Sequence, residues 1–204
     1  MDIYRHDSEW RRKGFRHVAG LDEAGRGPIA GPVVAAAVIL PEGFRLAGLR
    51  DSKKVPEKER ALLFWEILVV ALSIGVGISD HREIDEINIL QATRRAMMRA
   101  VEDLSVRPDM LVIDAVALPS VSIRQISPFK GESKSASIAA ASIIAKEVRD
   151  RMMNAFHDVY PQYNFRKHKG YCTRDHMEAL SAHGPCPIHR ASFSKVMEVG
   201  LPFA

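Results

Sequence analysis

Three features of this 204-residue chain point to an α/β fold, a mixed five-stranded sheet flanked by helices and followed by a C-terminal helical extension. Apolar runs bounded by Gly and Pro mark strands, the clearest being Val33 to Leu40 (VVAAAVIL) and Met110 to Asp114 (MLVID). Apolar residues recurring three, four or seven positions apart mark amphipathic helices after Glu83 and after Ser135. The two signals alternate along the chain, as they do where helices cover a sheet.

Taken in order, the first strand spans Val18 to Asp22. Gly25, Gly27, Pro28, Gly31 and Pro32 then punctuate an elaborate turn that delivers the buried strand Val33 to Leu40. Pro56 opens a helix at its first turn (EKERALLFWEILVVA), where a missing N–H is harmless and nearby acids suit the helix dipole. Ser73 to Ser79 (SIGVGIS) forms the third strand. From Glu83 to Leu104, the residues Ile87, Leu90, Met97, Val101 and Leu104 form one helical stripe. Pro108 ends the loop before MLVID, and Ser122 to Ile126 is a weaker fifth strand. The last long helix starts near Ser135, with Ile138, Ala141, Ala145, Val148 and Met152 on one face and an AAAS segment small enough for close packing on a sheet. Without repeats or a long linker, residues 1–160 are expected to form the main domain and residues 161–204 a basic helical extension packed on it.

Composition narrows the function classes. Hydrophobic residues make up 47% and charged residues 26%, close to the globular average, which argues against disorder, collagen-like repeats and a coiled coil. The apolar stretch from Ala61 to Leu72 is about half of what a bilayer needs and contains Glu66, so no membrane association is expected. The N-terminal MDIYRHDSEWRRKGF mixes acids with bases and lacks an apolar segment, unlike a secretory signal. Two cysteines, Cys172 and Cys186, suit a reducing cytoplasm. The net charge of +4 permits a polyanionic partner. Residues 161–195 carry Arg166, Lys167, Lys169, Arg174, Arg190 and Lys195 against Asp175 and Glu178, so the basic excess is concentrated in the tail.

Four constellations could carry chemistry. In GLDEAGRGP, Asp22 and Glu23 close an apolar strand just before the glycine-rich turn at Gly25, Arg26 and Gly27. Adjacent carboxylates repel unless a cation neutralises them, and a hard divalent ion accepts oxygen ligands. The glycines let backbone N–H groups approach a ligand. In a regular strand the two acids point to opposite faces, so either the strand bends or one acid binds obliquely. The plain alternative is a Gly-rich hairpin with solvated acids. Asp114 ends the MLVID strand, a common address for functional groups in α/β sheets, although a lone acid there also marks an exit to solvent. Glu132, in KGESKS, precedes a helix and could be a charge-complementing cap. RKHKGY ends in Lys169, Gly170 and Tyr171, bases for phosphates and a ring for stacking, or else a solvated loop. DSKK, containing Lys53, is a weaker instance of the same kind. Cys172, His176, His183 and Cys186, with His189 spare, form a competing zinc-type set, though their spacing matches no common zinc pattern. No G-x-S-x-G elbow supports a serine hydrolase.

Read together, GLDEAGRGPIAGPVVAAAVIL, DSKK, EIDEINILQAT, VID, KGESKSASIAAASIIAK, KHKGY and HGPCPIHR resemble bacterial ribonuclease HII in content and order, over residues 17–195. The resemblance implies an RNase H-like fold and an endonuclease that cuts the RNA strand of RNA–DNA hybrids and duplex DNA holding single ribonucleotides. It puts the catalytic and metal-binding acids at Asp22, Glu23, Asp114 and Glu132, where Glu132 replaces the family's usual Asp. It implies ribose 2′-hydroxyl recognition by Gly25, Arg26 and Gly27, and junction sensing by Tyr171. Lys53 and Lys169 join the expected substrate contacts. Further departures are Asp114-Ala115-Val116 for a common Asp-Gly-Asn run, Arg50 for an Asn before Asp-Ser-Lys, and Cys172 for a Gly.

Under that resemblance two Mg²⁺ or Mn²⁺ ions bridged by Asp22 serve cleavage on the 5′ side of the ribonucleotide, leaving a 3′-hydroxyl and a 5′-phosphate. The expected protein is a cytoplasmic monomer. Two rival readings stay open: a nucleic-acid-binding module with a dead site, and a DNA-directed nuclease of the same superfamily, such as a junction resolvase.

Overall fold

Every residue of Val33–Ile39 is buried, because this strand lies inside a sheet that carries helices on both faces. The computed structural model describes residues 2–114, 116–128 and 134–199. Its five strands are β1 (Val18–Ala24), β2 (Val33–Ile39), β3 (Ser73–Ser79), β4 (Met110–Ile113) and β5 (Arg124–Ile126), in the order β3-β2-β1-β4-β5. β2 runs antiparallel to both β1 and β3, whereas β4 runs parallel to both β1 and β5. The mixed sheet expected from the sequence is therefore present.

The helices are α1 (Tyr4–Arg12), α2 (Glu57–Val70), α3 (His81–Glu102), α4 (Ala136–Val159), α5 (Phe165–His168), α6 (Arg174–His183) and α7 (Ser194–Met197). The alternation of strand side chains divides the core in two. Ala36 and Val38 pack with Leu63, Phe64 and Ile67 of α2 and with the alanines of α4. Val33, Ala35, Ala37 and Ile39 pack with Ala92, Ala96, Met97 and Ala100 of α3. Between α2 and α4 a buried ion-pair cluster joins Arg60 to Glu147 at 2.6 Å and to Asp150 at 3.2 Å.

α4 meets β1 at Gly20, where an added Cβ would stand 2.1 Å from the carbonyl carbon of Ser137. Only glycine allows that approach. The start of α4 is satisfied by Ser135, which accepts from the N–H of Ile138, and by the buried Asp7 of α1, which accepts from Ser135 Oγ at 2.6 Å and from the N–H of Ser137 at 2.8 Å. α1 thus braces the helix that lies on the strand leading to Asp22.

Two local expectations are corrected, and α1 is a helix beyond those the periodicity marks. Pro56 is the residue before α2 rather than part of its first turn, with φ −56° and ψ 147°. α3 is broken at Asn88, which takes φ 66° and ψ 162°, and the Asn88 side chain accepts from the N–H groups of Leu90 and Gln91 to start the second segment.

The tail returns to the glycine-rich loop. Ile29 N–H donates to Gly170, Gly31 N–H to Ile188, and Arg190 N–H to Ile29. Phe165, Tyr163 and Ile188 pack with Ala30 of the loop and Met153 of α4.

Candidate active site

β1 keeps its pairing with β2 through Ala24, but its pairing with β4 stops at Leu21 opposite Ile113. Beyond that point one edge of β1 opens, and the next residues on the two parallel strands are Asp22 and Asp114. The Asp114 N–H donates to Leu21 O at 3.1 Å, which holds the two strand ends together. The strand runs in register with β2, without a bulge, through Glu23 and Ala24. Its alternation leaves Asp22 on the α4 side with Gly20 and Glu23 on the other.

Asp22 is buried, and the Ser142 hydroxyl on α4 favours its charged form. Burial, with the charges of Glu23 and Asp114, pushes its carboxyl well above the ordinary carboxylate range, against the hydrogen bonds from Ser142 and the Glu23 N–H. That N–H reaches Asp22 Oδ1 at 2.7 Å. Ser142 Oγ lies 2.7 Å from Ser52 Oγ, which anchors the DSKK turn beneath Asp22. The turn places Lys53 where its charge acts on Glu23. Burial also raises Glu23, opposed by Arg26 and Lys53. Arg26 Nη1 donates to Glu23 Oε1 at 3.2 Å, whereas Glu23 Oε2 is buried and has no hydrogen-bond partner among the described residues.

Such an oxygen set suits a hard cation, since a cation would relieve the repulsion and satisfy the orphaned oxygen. Asp22, Glu23 and Asp114 fit that role chemically. Among the described residues no group of three His, Cys, Asp or Glu side chains is close enough to form a ready-made cage. Glu132, with Lys130 and Gly131, lies outside the described residues.

Beside the acids the chain turns at Gly25, whose φ of +99° suits glycine and whose missing Cβ leaves room for the Arg149 side chain. Arg26 and Gly27 are exposed. The half-exposed Tyr171 faces them, its ring 3.8 Å from where a Cβ on Gly27 would stand. Lys169 sits at φ 52°, and its ammonium is held by Asn154 Oδ1 at 2.5 Å and Arg166 O at 2.8 Å.

A family model for ribonuclease HII matches residues 19–196. The chain belongs to the ribonuclease HII family. It is therefore an endoribonuclease, a hydrolase, by membership. It is 51% identical over 188 residues to the ribonuclease HII of Caldanaerobacter subterraneus subsp. tengcongensis, covering 92% of this chain and 78% of that protein. It is 53% identical over 186 residues to that of Bacillus subtilis, covering 91% and 72%. Among solved structures, the ribonuclease H2 of Pyrococcus horikoshii OT3 superposes with a TM-score of 0.77 at 26% identity, covering 89% of this chain and 96% of that one. Bst-RNase HIII in complex with Mn²⁺ shares the fold at a TM-score of 0.72 and 19% identity, covering 90% and 68%. The fold is that of the RNase H group.

For a ribonuclease HII, the basic tail is arranged less simply than its charge count suggests. Arg166 pairs with Asp158, Lys167 with Asp175, Arg174 with Glu178 and Lys195 with Glu198. Arg190 is fully buried. Much of the excess read from the sequence is thus engaged within the protein. The zinc-type set does not converge, because Cys172 is exposed while Cys186, His189 and His176 bond to one another. The sequence points to the acids, the Gly-Arg-Gly turn and Tyr171, and the structure groups Asp22, Glu23 and Asp114 beside Gly25 to Gly27 and Tyr171. Nothing in the sequence marks Ser142 or Arg149 for the site, and Arg190 enters there only through the tail's charge and the HGPCPIHR segment. Ser142 shows only as a hydroxyl within an otherwise aliphatic AAAS segment.

Proposed function

We propose that this chain cuts the RNA strand of RNA–DNA hybrids and the 5′ side of single ribonucleotides embedded in duplex DNA, leaving a 3′-hydroxyl and a 5′-phosphate. The observation that carries this reading is the adjacency of the buried Asp22 and the part-buried Glu23, one oxygen of which has no partner among the described residues, to a Gly-Arg-Gly turn exposed at Arg26 and Gly27 and faced by Tyr171. Asp22, Glu23 and Asp114, with Glu132 as the fourth carboxylate, would hold Mg²⁺ or Mn²⁺, two ions in the full site. Mn²⁺ in Bst-RNase HIII is consistent with that choice. A bound divalent cation supplies positive charge to the scissile phosphate and acidity to an attacking water.

The chain's own residues do the rest. Ser142 orients the Asp22 carboxylate and Arg26 orients Glu23. Backbone N–H groups at Arg26 and Gly27 present donors to the ribose 2′-hydroxyl, the group by which RNA is told from DNA. The Tyr171 ring offers a stacking surface across the junction that follows. Lys53 offsets the acid cluster and adds positive charge toward the nucleic-acid backbone. Residues 161–199 act in this reading as an extension that completes the binding face of the catalytic domain.

The test is incubation with Mg²⁺ and a duplex containing one ribonucleotide, beside an all-deoxy control. Cleavage of the first alone supports the proposal. Cleavage of both points to a DNA-directed nuclease, cleavage of neither to a binding module, and either result overturns it.

A further inference from the structure

Two buried cations take no part in the chemistry proposed above. Arg149 of α4 and Arg190 of the tail are 1% and 0% exposed, and among the described residues neither forms an ion pair. Burying a charge without a counter-ion is costly unless its hydrogen bonds are fully used. Here backbone carbonyls use them. Arg190 donates to Gly25 O at 2.6 Å, Arg26 O at 3.0 Å and Gly31 O at 3.0 Å. Arg149 donates to Pro32 O at 2.9 Å, Ala30 O at 3.1 Å and Lys169 O at 2.9 Å. Burial pulls Arg149 down to about 10 and Arg190 to about 9, and both remain charged at neutral pH.

The geometry has a direct consequence. Within a planar trans peptide the C=O of one residue and the N–H of the next point in opposite directions. Drawing the carbonyls of Gly25 and Arg26 inward turns the N–H groups of Arg26 and Gly27 outward, at two exposed residues. Among the described residues neither N–H has an acceptor within the protein. Arg149 also grips both sides of the cleft at once, through Ala30 on the loop and Lys169 two residues before Tyr171, and the bond from Ile29 N–H to Gly170 O, 2.9 Å, closes the same gap.

We infer that Arg149 and Arg190 are positioning residues for ribonucleotide recognition, which aim the N–H groups of Arg26 and Gly27 at the ribose and fix their distance from Tyr171. The inference rests on the proposed reading that this turn and Tyr171 receive the ribonucleotide. Lysine cannot substitute, because a compact ammonium does not span three carbonyls as a planar guanidinium does. Two buried positive charges behind the loop also favour the approach of a polyanion.

The test measures affinity, by fluorescence anisotropy with Ca²⁺ in place of Mg²⁺ and the duplex verified as uncut, for a duplex with one ribonucleotide and for its all-deoxy twin. The readout is the ratio of the two affinities, which a loss of folded protein does not move. The intact protein should prefer the ribonucleotide duplex, and Arg190→Lys and Arg149→Lys, folded by circular dichroism, should shrink that preference by about tenfold, the effect of losing one well-aimed hydrogen bond. Folded Lys variants that keep the full ratio overturn the inference while leaving the proposed function intact. An intact protein with a ratio of one overturns the reading of the site and the inference with it. If the variants do not fold, hydrogen exchange on the unaltered, substrate-free protein decides. Slow exchange of the Ile29, Gly31 and Arg190 amides supports a loop held in advance, and exchange that slows only with the duplex overturns it.

Discussion

The Nε2 atoms of His176 and His189 lie 3.0 Å apart, with both rings buried beneath the Lys169–Tyr171 segment. Their partners assign the protons. Cys186 N–H donates to His189 Nδ1 at 2.9 Å, so His189 carries its hydrogen on Nε2 and donates to His176. His176 then carries its own on Nδ1 and donates to Tyr171 O at 2.9 Å. His168 stacks on His176 at 4.3 Å, its Nδ1 accepting from Gly170 N–H and its Nε2–H donating to Tyr163 O. A second proton on His176 or His189 would set two N–H groups against each other, and burial accordingly lowers both rings to about 4.

These rings make stability depend on pH. The folded state depresses both below the ordinary 6.5, so their contribution is complete above pH 6.5 and is lost as pH falls toward about 4. Thermal unfolding scanned from pH 7 to pH 4 should show a falling midpoint. His176→Gln should unfold at a lower temperature at pH 7 and vary less with pH over that window. A variant that retains the intact protein's pH slope would assign the slope to other groups.

Asp22 has the opposite sign. Its folded-state value is raised, so the metal-free protein is favoured at low pH and loses stability as pH rises above the ordinary carboxylate range. Asp22→Asn should abolish cleavage while raising the unfolding midpoint of the metal-free protein at pH 8, a gain that shrinks toward pH 4. Mg²⁺ should raise the midpoint of the unaltered protein more than that of the variant. Calorimetry with and without EDTA reads both effects, and substantial cleavage by the variant would remove Asp22 from the catalytic set.

Gly25→Ala should cost stability and activity together. An added Cβ would stand 2.1 Å from Arg149 Nε in a residue at φ +99°. The positive φ costs about 1 kcal/mol and a displaced Arg149 leaves buried carbonyls without donors, for a total of about 2–4 kcal/mol. Denaturant unfolding measures the loss. A cost near zero would mean that the Arg149 side chain moves freely.

Salt dependence tests the tail. Six phosphate contacts would give a slope of about −5 in log affinity against log salt. With Arg190 buried and four other bases paired to acids, the slope for a hybrid duplex between 50 and 200 mM salt should be clearly shallower. A slope at or beyond about −5 would mean that those pairs exchange their carboxylates for phosphates on binding.

Much of this molecule could be read from residues alone, for a physical reason. The central strands are buried on both faces, so Val33–Ile39 and Met110–Ile113 stand out as unbroken apolar runs. The acids end such runs and are visible for the same reason. α1 escaped because the one residue it buries is Asp7, a polar partner for α4, so no apolar stripe announced it. The break at Asn88 escaped because Ile87 and Leu90 continue the helical spacing across it. Ser52 and Ser142, ninety positions apart, meet only once the sheet is assembled. Charge counting could not separate Arg190 from Lys195, since composition records charges but not what they touch.

The bond from Arg190 to Gly25 joins positions 165 residues apart. During synthesis, the sheet with Asp22, Glu23 and Asp114 emerges well before the guanidinium that bonds to the loop. On the proposed reading the carboxylates for cutting are thus made before the side chain that positions the recognition turn, so selectivity would be the last property that synthesis supplies.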